Sequence, residues 1–193
     1  MRSAAHRLAR AVVAVVAVVA SAIVGLPGVA QAATWSFSDY MEISGGVPPQ
    51  SRFTFASDGG GGNFVSSVAT PETPSKAHSP TYYADLSSGG FYGTWSSVGR
   101  TVTISALVAN RPVCRFSAYT YSGSQYFNIE VIDPSTWTYV AVKKVRGGNW
   151  TWGRMSTDTF IPSTARVFVR VSLLGPSYLA LGFVDDFHIS CTY

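Results

Sequence analysis

Apolar and polar residues alternate in short runs along the chain from residue 33 onward, and no stretch there keeps a 3.6-residue apolar period. In VCRFSAYTYS (113–122) one face carries Cys114, Phe116 and Ala118, and the other Arg115, Ser117, Tyr119 and Tyr121. YFNIEVID (126–133) sets Phe127, Ile129 and Val131 against Asn128 and Glu130, and RVFVRVSLL (166–174) sets Val167, Val169 and Val171 against Arg166, Phe168 and Arg170. SRFTFAS, TVTISALV and TWTYVAVKKV add further strands. GFVDDFHIS (182–190) reads as the last strand, with Phe183, Phe187 and Ile189 on one face and two adjacent aspartates interrupting it. Turn residues separate the runs: Ser122-Gly123-Ser124, Asp133-Pro134-Ser135, Gly147-Gly148-Asn149, Ile161-Pro162-Ser163 and Gly175-Pro176. The glycine run of Ser57–Gly62 and the proline-rich stretch Thr70–Pro80 read as loops. Short strands with one apolar face, punctuated by turns, predict an all-β fold, an antiparallel two-sheet β-sandwich.

The first 32 residues follow a different pattern. Arg2, Arg7 and Arg10 precede the small apolar run Ala11–Val24, and Ala30-Gln31-Ala32 has the form of a signal-peptidase site. A membrane anchor is the competing reading, but the run is short of the about 20 residues a span needs. The expectation is a cleaved secretory signal (1–32), a single domain (33–193), a secreted, extracellular protein and no transmembrane segment in the mature form. Cleavage also changes the charge. The chain has 14 Lys and Arg against 10 Asp and Glu, and three of the arginines leave with the leader, so the excess falls to one. No basic stripe remains beyond Lys143-Lys144-Val145-Arg146, which argues against a nucleic-acid partner. All 5 Trp, 10 Tyr and 11 Phe lie after the leader, enough to build a sizeable core. In an exported chain the two cysteines, Cys114 and Cys191, are expected to pair.

The order of elements resembles the galactose-binding-like jelly rolls, in the style of carbohydrate-binding modules from secreted glycoside hydrolases. AHSPTYYADL (77–86), WSSVGRTVTIS (95–105), CRFSAYTYS, FNIEVIDPSTWTYV, NWTWGRMSTDTF and the terminal FVDDFHIS carry the likeness; SFSDYMEIS (36–44) stands where the first strand belongs. The resemblance implies a jelly roll, a core role for Trp152, and a structural calcium. Its ligands would be Asp185 or Asp186 of the last strand with Asp39 or Glu42 near the first, since Ca²⁺ takes six to eight oxygen ligands. The alternative is that both aspartates accept backbone N–H bonds at a loop junction or pair with an arginine such as Arg52.

Three functional classes remain. Binding of a polysaccharide or cell-surface glycan needs flat aromatic rings for the apolar face of a pyranose and polar groups for its hydroxyls. Candidate ligand residues are Arg115, Tyr119 and Tyr121 on one strand, Asn128 and Glu130 on the next, Arg170, and Trp137 in a turn. Trp150, Trp152, Tyr82, Tyr83 and Trp95 are loop candidates, with Trp95 alternatively closing the core. The second class is a secreted structural or protein-interaction domain with the same fold and no sugar site. The third is a hydrolase using Glu130 with Asp158 or Asp133, or a lyase using Arg115, Arg170 and Tyr119. Against it, Glu130 beside Arg170 is more simply an ion pair, and Asp133 a turn residue. His188 can touch Asp186 two residues away, but no nucleophile elbow accompanies them.

Overall fold

The computed structural model describes residues 33–66, 77–89, 93–104, 111–175 and 179–193; the expected signal segment and most of the Thr70–Pro80 loop lie outside them. Eleven strands are present among the described residues: β1 (Thr34–Asp39), β2 (Thr54–Asp58), β3 (Gly60–Ser66), β4 (Tyr82–Ser88), β5 (Trp95–Thr103), β6 (Val113–Ser122), β7 (Tyr126–Asp133), β8 (Thr138–Arg146), β9 (Thr151–Ser156), β10 (Arg166–Leu174) and β11 (Ala180–Thr192). They form two antiparallel sheets. The first runs β3-β4-β11-β6-β9, with β1 also on β11; the second runs β2-β5-β10-β7-β8. No helix of the described residues is long and apolar enough to cross a membrane.

The alternation read from the sequence decides which side chains fill the space between the sheets. Phe116 and Ala118 of β6 meet Phe127, Ile129 and Val131 of β7 and the valines of β10 in one buried cluster. Phe187 stands edge-on to Phe53 and Phe116, with ring centres 5.3 and 5.0 Å apart, a geometry that suits the ring quadrupoles. Cys114 and Cys191 lie opposite each other on β6 and β11 and are joined by a disulfide.

Two expectations are corrected. The Ser57–Gly62 segment is largely strand and not a loop: β2 ends at Asp58, Gly59 turns the chain with φ +72°, and β3 starts at Gly60 in the other sheet. A side chain is excluded at Gly62, where a Cβ would stand 2.6 Å from the Phe55 ring, so glycine lets this strand approach β2 closely. Phe183, in turn, is not on the face of Phe187 and Ile189. The pairing of β11 with β6 shifts between Asp185 and His188, and Asp186 has φ +51°. This β-bulge adds one residue and reverses the phase, so Phe183 packs outside against Tyr83 and Tyr121 while Phe187 and Ile189 point into the core.

The bulge falls where β11 changes neighbour. Ala180–Val184 pair with β4, whereas Phe187–Thr192 pair with β1. At that fork Asp185 takes up backbone N–H groups outside the ladders. Asp185 Oδ2 accepts from the N–H groups of His78 and Ser79 at 3.0 and 2.9 Å, and Oδ1 accepts from the N–H of Asp186 at 2.8 Å. The buried carboxyl group of Asp185 thereby satisfies backbone donors that would otherwise be orphaned.

Candidate functional site

Because β6 belongs to the first sheet and β7 and β10 to the second, the predicted ligand residues divide between opposite outer faces. Tyr119, Tyr121 and Arg115 lie on one; Asn128, Glu130, Arg170 and Trp137 lie on the other. The spacing of residues within each strand is as expected, but a hairpin-like link between consecutive strands does not require them to share a sheet.

On the second sheet, Glu130 is 1 % exposed and does not project freely outward. It sits opposite Arg170 in the register and pairs with its Nε, and Ser172 Oγ donates to the same carboxylate at 3.1 Å. Arg170 also reaches the Tyr139 hydroxyl and stands over the Trp95 ring. Trp95 therefore packs on the outer face here, not under the core. Trp137 is exposed beside Phe168. The carboxylates offered as hydrolytic partners are elsewhere engaged. Asp133 accepts from Ser135 and Ser163, with the Ser135 bonds chiefly holding its pKa down, and Asp158 pairs with Lys143. Among the described residues no second free carboxylate stands across from Glu130.

The outer face of the first sheet is richer in aromatic rings. Tyr121 stacks parallel to Phe183 at 5.4 Å and is flanked by Trp150 and Trp152 at 5.7 and 5.5 Å. Trp152 is thus part of this outer row, which corrects its expected core role. Trp150 is half exposed and lies flat over Gly123, where a Cβ would come within 3.0 Å of the indole. Its backbone is left-handed, φ +57°, following Asn149 at +28°. Bulky residues rarely adopt that conformation, and such strain concentrates at functional positions.

Beside this row lies an open pocket of about 310 Å³ whose walls include Tyr119, Tyr40, Ser38, His78, His188, Arg154 and Asp186. His78 comes from the segment before β4. It stacks on Tyr119 with ring centres 3.6 Å apart and pairs through Nδ1 with Asp186. His188 does not touch Asp186 as anticipated; the bulge turns them apart, and its Nδ1 is hydrogen-bonded to the Ser38 hydroxyl at 2.8 Å. Burial, and secondly the charge of Arg154, lowers the His188 pKa, so the ring is neutral at pH 7. Arg154, opposite Tyr119 on β9, donates from Nε and Nη2 to Ser117 Oγ at 3.1 and 2.9 Å. Sequence reasoning passed over Arg154 and gave His78 no ligand role: nothing near Arg154 marks it, and His78 gains its partners only through contacts some hundred residues away in the chain. Arg115 lies at the far end of β6, in a recess with Ser36 and Thr159.

The carboxylates expected to share a calcium are arranged otherwise. Asp39 pairs with both Arg52 and Arg100. Glu42 Oε1 accepts from the N–H groups of Thr81 and Tyr82, each at 2.8 Å. Asp186 faces His78. Asp185 and Glu42 approach a common point only at Ser79 Oγ, 3.1 and 3.3 Å away, and that hydroxyl is also 2.7 Å from the Tyr40 carbonyl. Among the described residues no group of three or more His, Cys, Asp or Glu could hold a metal ion. As they stand, protein donors engage an oxygen of each of these carboxylates, while Asp186 Oδ1 is buried without a hydrogen-bond partner among the described residues.

No family model matches the chain, and no curated protein does. Solved structures do. TmCBM61, determined in complex with β-1,4-galactotriose, superimposes with a TM-score of 0.52 at 18% identity over 71% of this chain and 86% of that one. The fold is the antiparallel two-sheet β-sandwich that this module also has. The same architecture recurs in the K3 adhesin domain of Lys-gingipain from Porphyromonas gingivalis, with TM-score 0.52 and 11% identity over 82% of this chain and 99% of that one. The K2 adhesin domain of Lys-gingipain gives 0.50 at 15% identity, over 82% and 100%.

Proposed function

We propose that this chain is an exported, non-catalytic glycan-binding domain, and that it binds polysaccharide across the outer face of its first sheet. The observation that carries the reading is Trp150. It is a half-exposed indole held in a left-handed turn, continuing a row with Tyr121 and Trp152 beside a pocket of hydrogen-bonding side chains. Flat rings offer the apolar surface that the C–H face of a pyranose matches, and the neighbouring hydroxyls, imidazoles and guanidinium offer partners for its polar rim. The likeness to a module solved with a galactotriose agrees with this use of the fold.

The test is retention on insoluble cellulose, xylan, chitin and peptidoglycan together with affinity electrophoresis in soluble galactan and pectins. The wild type is expected to be retained by at least one of these, and Trp150→Ala and Tyr121→Ala to weaken that retention. Failure on every glycan removes the proposal and favours a protein-interaction role.

A further inference from the structure

The arginines of the domain are partnered differently, and the one in the pocket points to a ligand. Arg52, Arg100 and Arg170 each have a carboxylate partner. Arg154 lines the pocket beside Tyr119 and has none: no carboxylate of the described residues lies within ion-pair distance of it. Its Nε and Nη2 are both spent on the Ser117 hydroxyl, which fixes the plane of the guanidinium against the strand, and no bond to Nη1 is present among the described residues. The carboxylate among the pocket walls, Asp186, is already paired with His78. The remaining walls are the hydroxyl-bearing Ser38, Tyr40 and Tyr119 with His188 and Phe187, the Ser38 hydroxyl being bonded to His188 Nδ1.

We propose that the pocket selects a carboxylate-bearing sugar, a uronic acid residue within a polysaccharide, and that Arg154 holds the carboxylate. The assignment rests on the glycan-binding reading above and names the ligand class of that same site. Ser117 takes the Nε side of the guanidinium, and the opposite edge keeps one N–H of Nη1 and the second N–H of Nη2, a pair that matches a planar carboxylate as a lysine ammonium does not. Little side-chain entropy is lost on binding, since Ser117 has already ordered the arginine. Burial first, and then the charge of Arg154, holds the His188 pKa down, and an entering anion would compensate that charge.

The experiment compares polygalacturonate with the same polymer fully methyl-esterified, so that only the charge on the sugar differs, by affinity electrophoresis and calorimetry. Wild type is expected to bind the free-acid form about tenfold more tightly. Arg154→Gln should reduce that affinity to about the level of the ester, with a clearly smaller loss on the ester itself and the fold retained by circular dichroism, and Arg154→Lys should fall between. Arg166→Gln, an exposed arginine on the opposite sheet, controls for general attraction to a polyanion and should keep the preference. Equal wild-type affinity for the two forms overturns the assignment, as does an equal loss on both in Arg154→Gln or a matching loss in Arg166→Gln. Binding to neutral glycans with no such preference would sink this assignment alone; no binding to any glycan would sink the underlying reading with it.

Discussion

Asp185 is fully buried and adjacent to a second aspartate, and its pKa is pushed up to about 8, first by burial and then by the charge of Asp186. In the unfolded chain the same group titrates near 4. Between those values the folded protein keeps a proton that the unfolded chain has released, so stability is greatest below about pH 4 for this group and falls as pH rises toward 8. The proton also explains how Ser79 Oγ can stand among four acceptor oxygens: a protonated Asp185 supplies a donor. Thermal melts from pH 5 to 9 are expected to show a declining Tm that levels off above about 8. A Tm that rises over this interval would contradict the assignment. Glu130 makes the second residue-scale case. If it serves as a structural partner of Arg170, Glu130→Ala costs roughly 2 kcal/mol, measurable by urea titration, from hydrogen bonds to charged groups. It should leave glycan binding on the opposite face unaltered.

Among the elements, β11 does most to define the domain. It holds β4 and β1 on one side and β6 on the other, and its bulge is closed by the segment at His78 and Ser79. N–H groups already donate to Asp185 and Glu42 at that junction, and EDTA tests the expected calcium beside them: a fall in Tm supports a bound ion, and an unchanged Tm removes it. Ser79→Ala, which removes the hydroxyl shared by Asp185 and Tyr40, should lower Tm by a few degrees, at about 1 kcal/mol. Reduction of the Cys114–Cys191 bridge, which closes a loop across 77 residues, should destabilise by about 4 kcal/mol on the chain-entropy account. The strands themselves were legible: β6, β7 and β10 begin and end where the alternation does, since period two directly reports one buried face. Other features were not. A bulge inserts one residue and inverts the phase without leaving a mark in composition, so Phe183 was assigned the wrong face. Glycines that a loop would favour are equally required where strands crowd, as at Gly62.

For the whole molecule, the arrangement of strands between the sheets is what the sequence conceals. Alternation gives the face of each residue within its strand but not which sheet the strand joins, so Tyr119 and Glu130 looked like neighbours and are instead separated by the core. The two outer faces differ in physical character. On the second sheet Glu130 and Arg170 neutralise each other under Tyr139 and Trp95; on the first, Arg154 has no carboxylate partner among the described residues, and an aromatic row stands next to an open pocket. The exposed tryptophans of the two faces make this a controlled comparison, because Trp137 and Trp150 are 64% and 51% exposed and both have left-handed backbone. If binding uses the first face, Trp150→Ala should raise the dissociation constant for the retained glycan about tenfold, the size of one good aromatic contact. Trp137→Ala should leave it unchanged. Calorimetry on the two variants decides the matter: an equal loss in both would mean that the ligand spans the sandwich edge or that exposed indoles act without specificity, and a loss confined to Trp137→Ala would move the site to the other sheet.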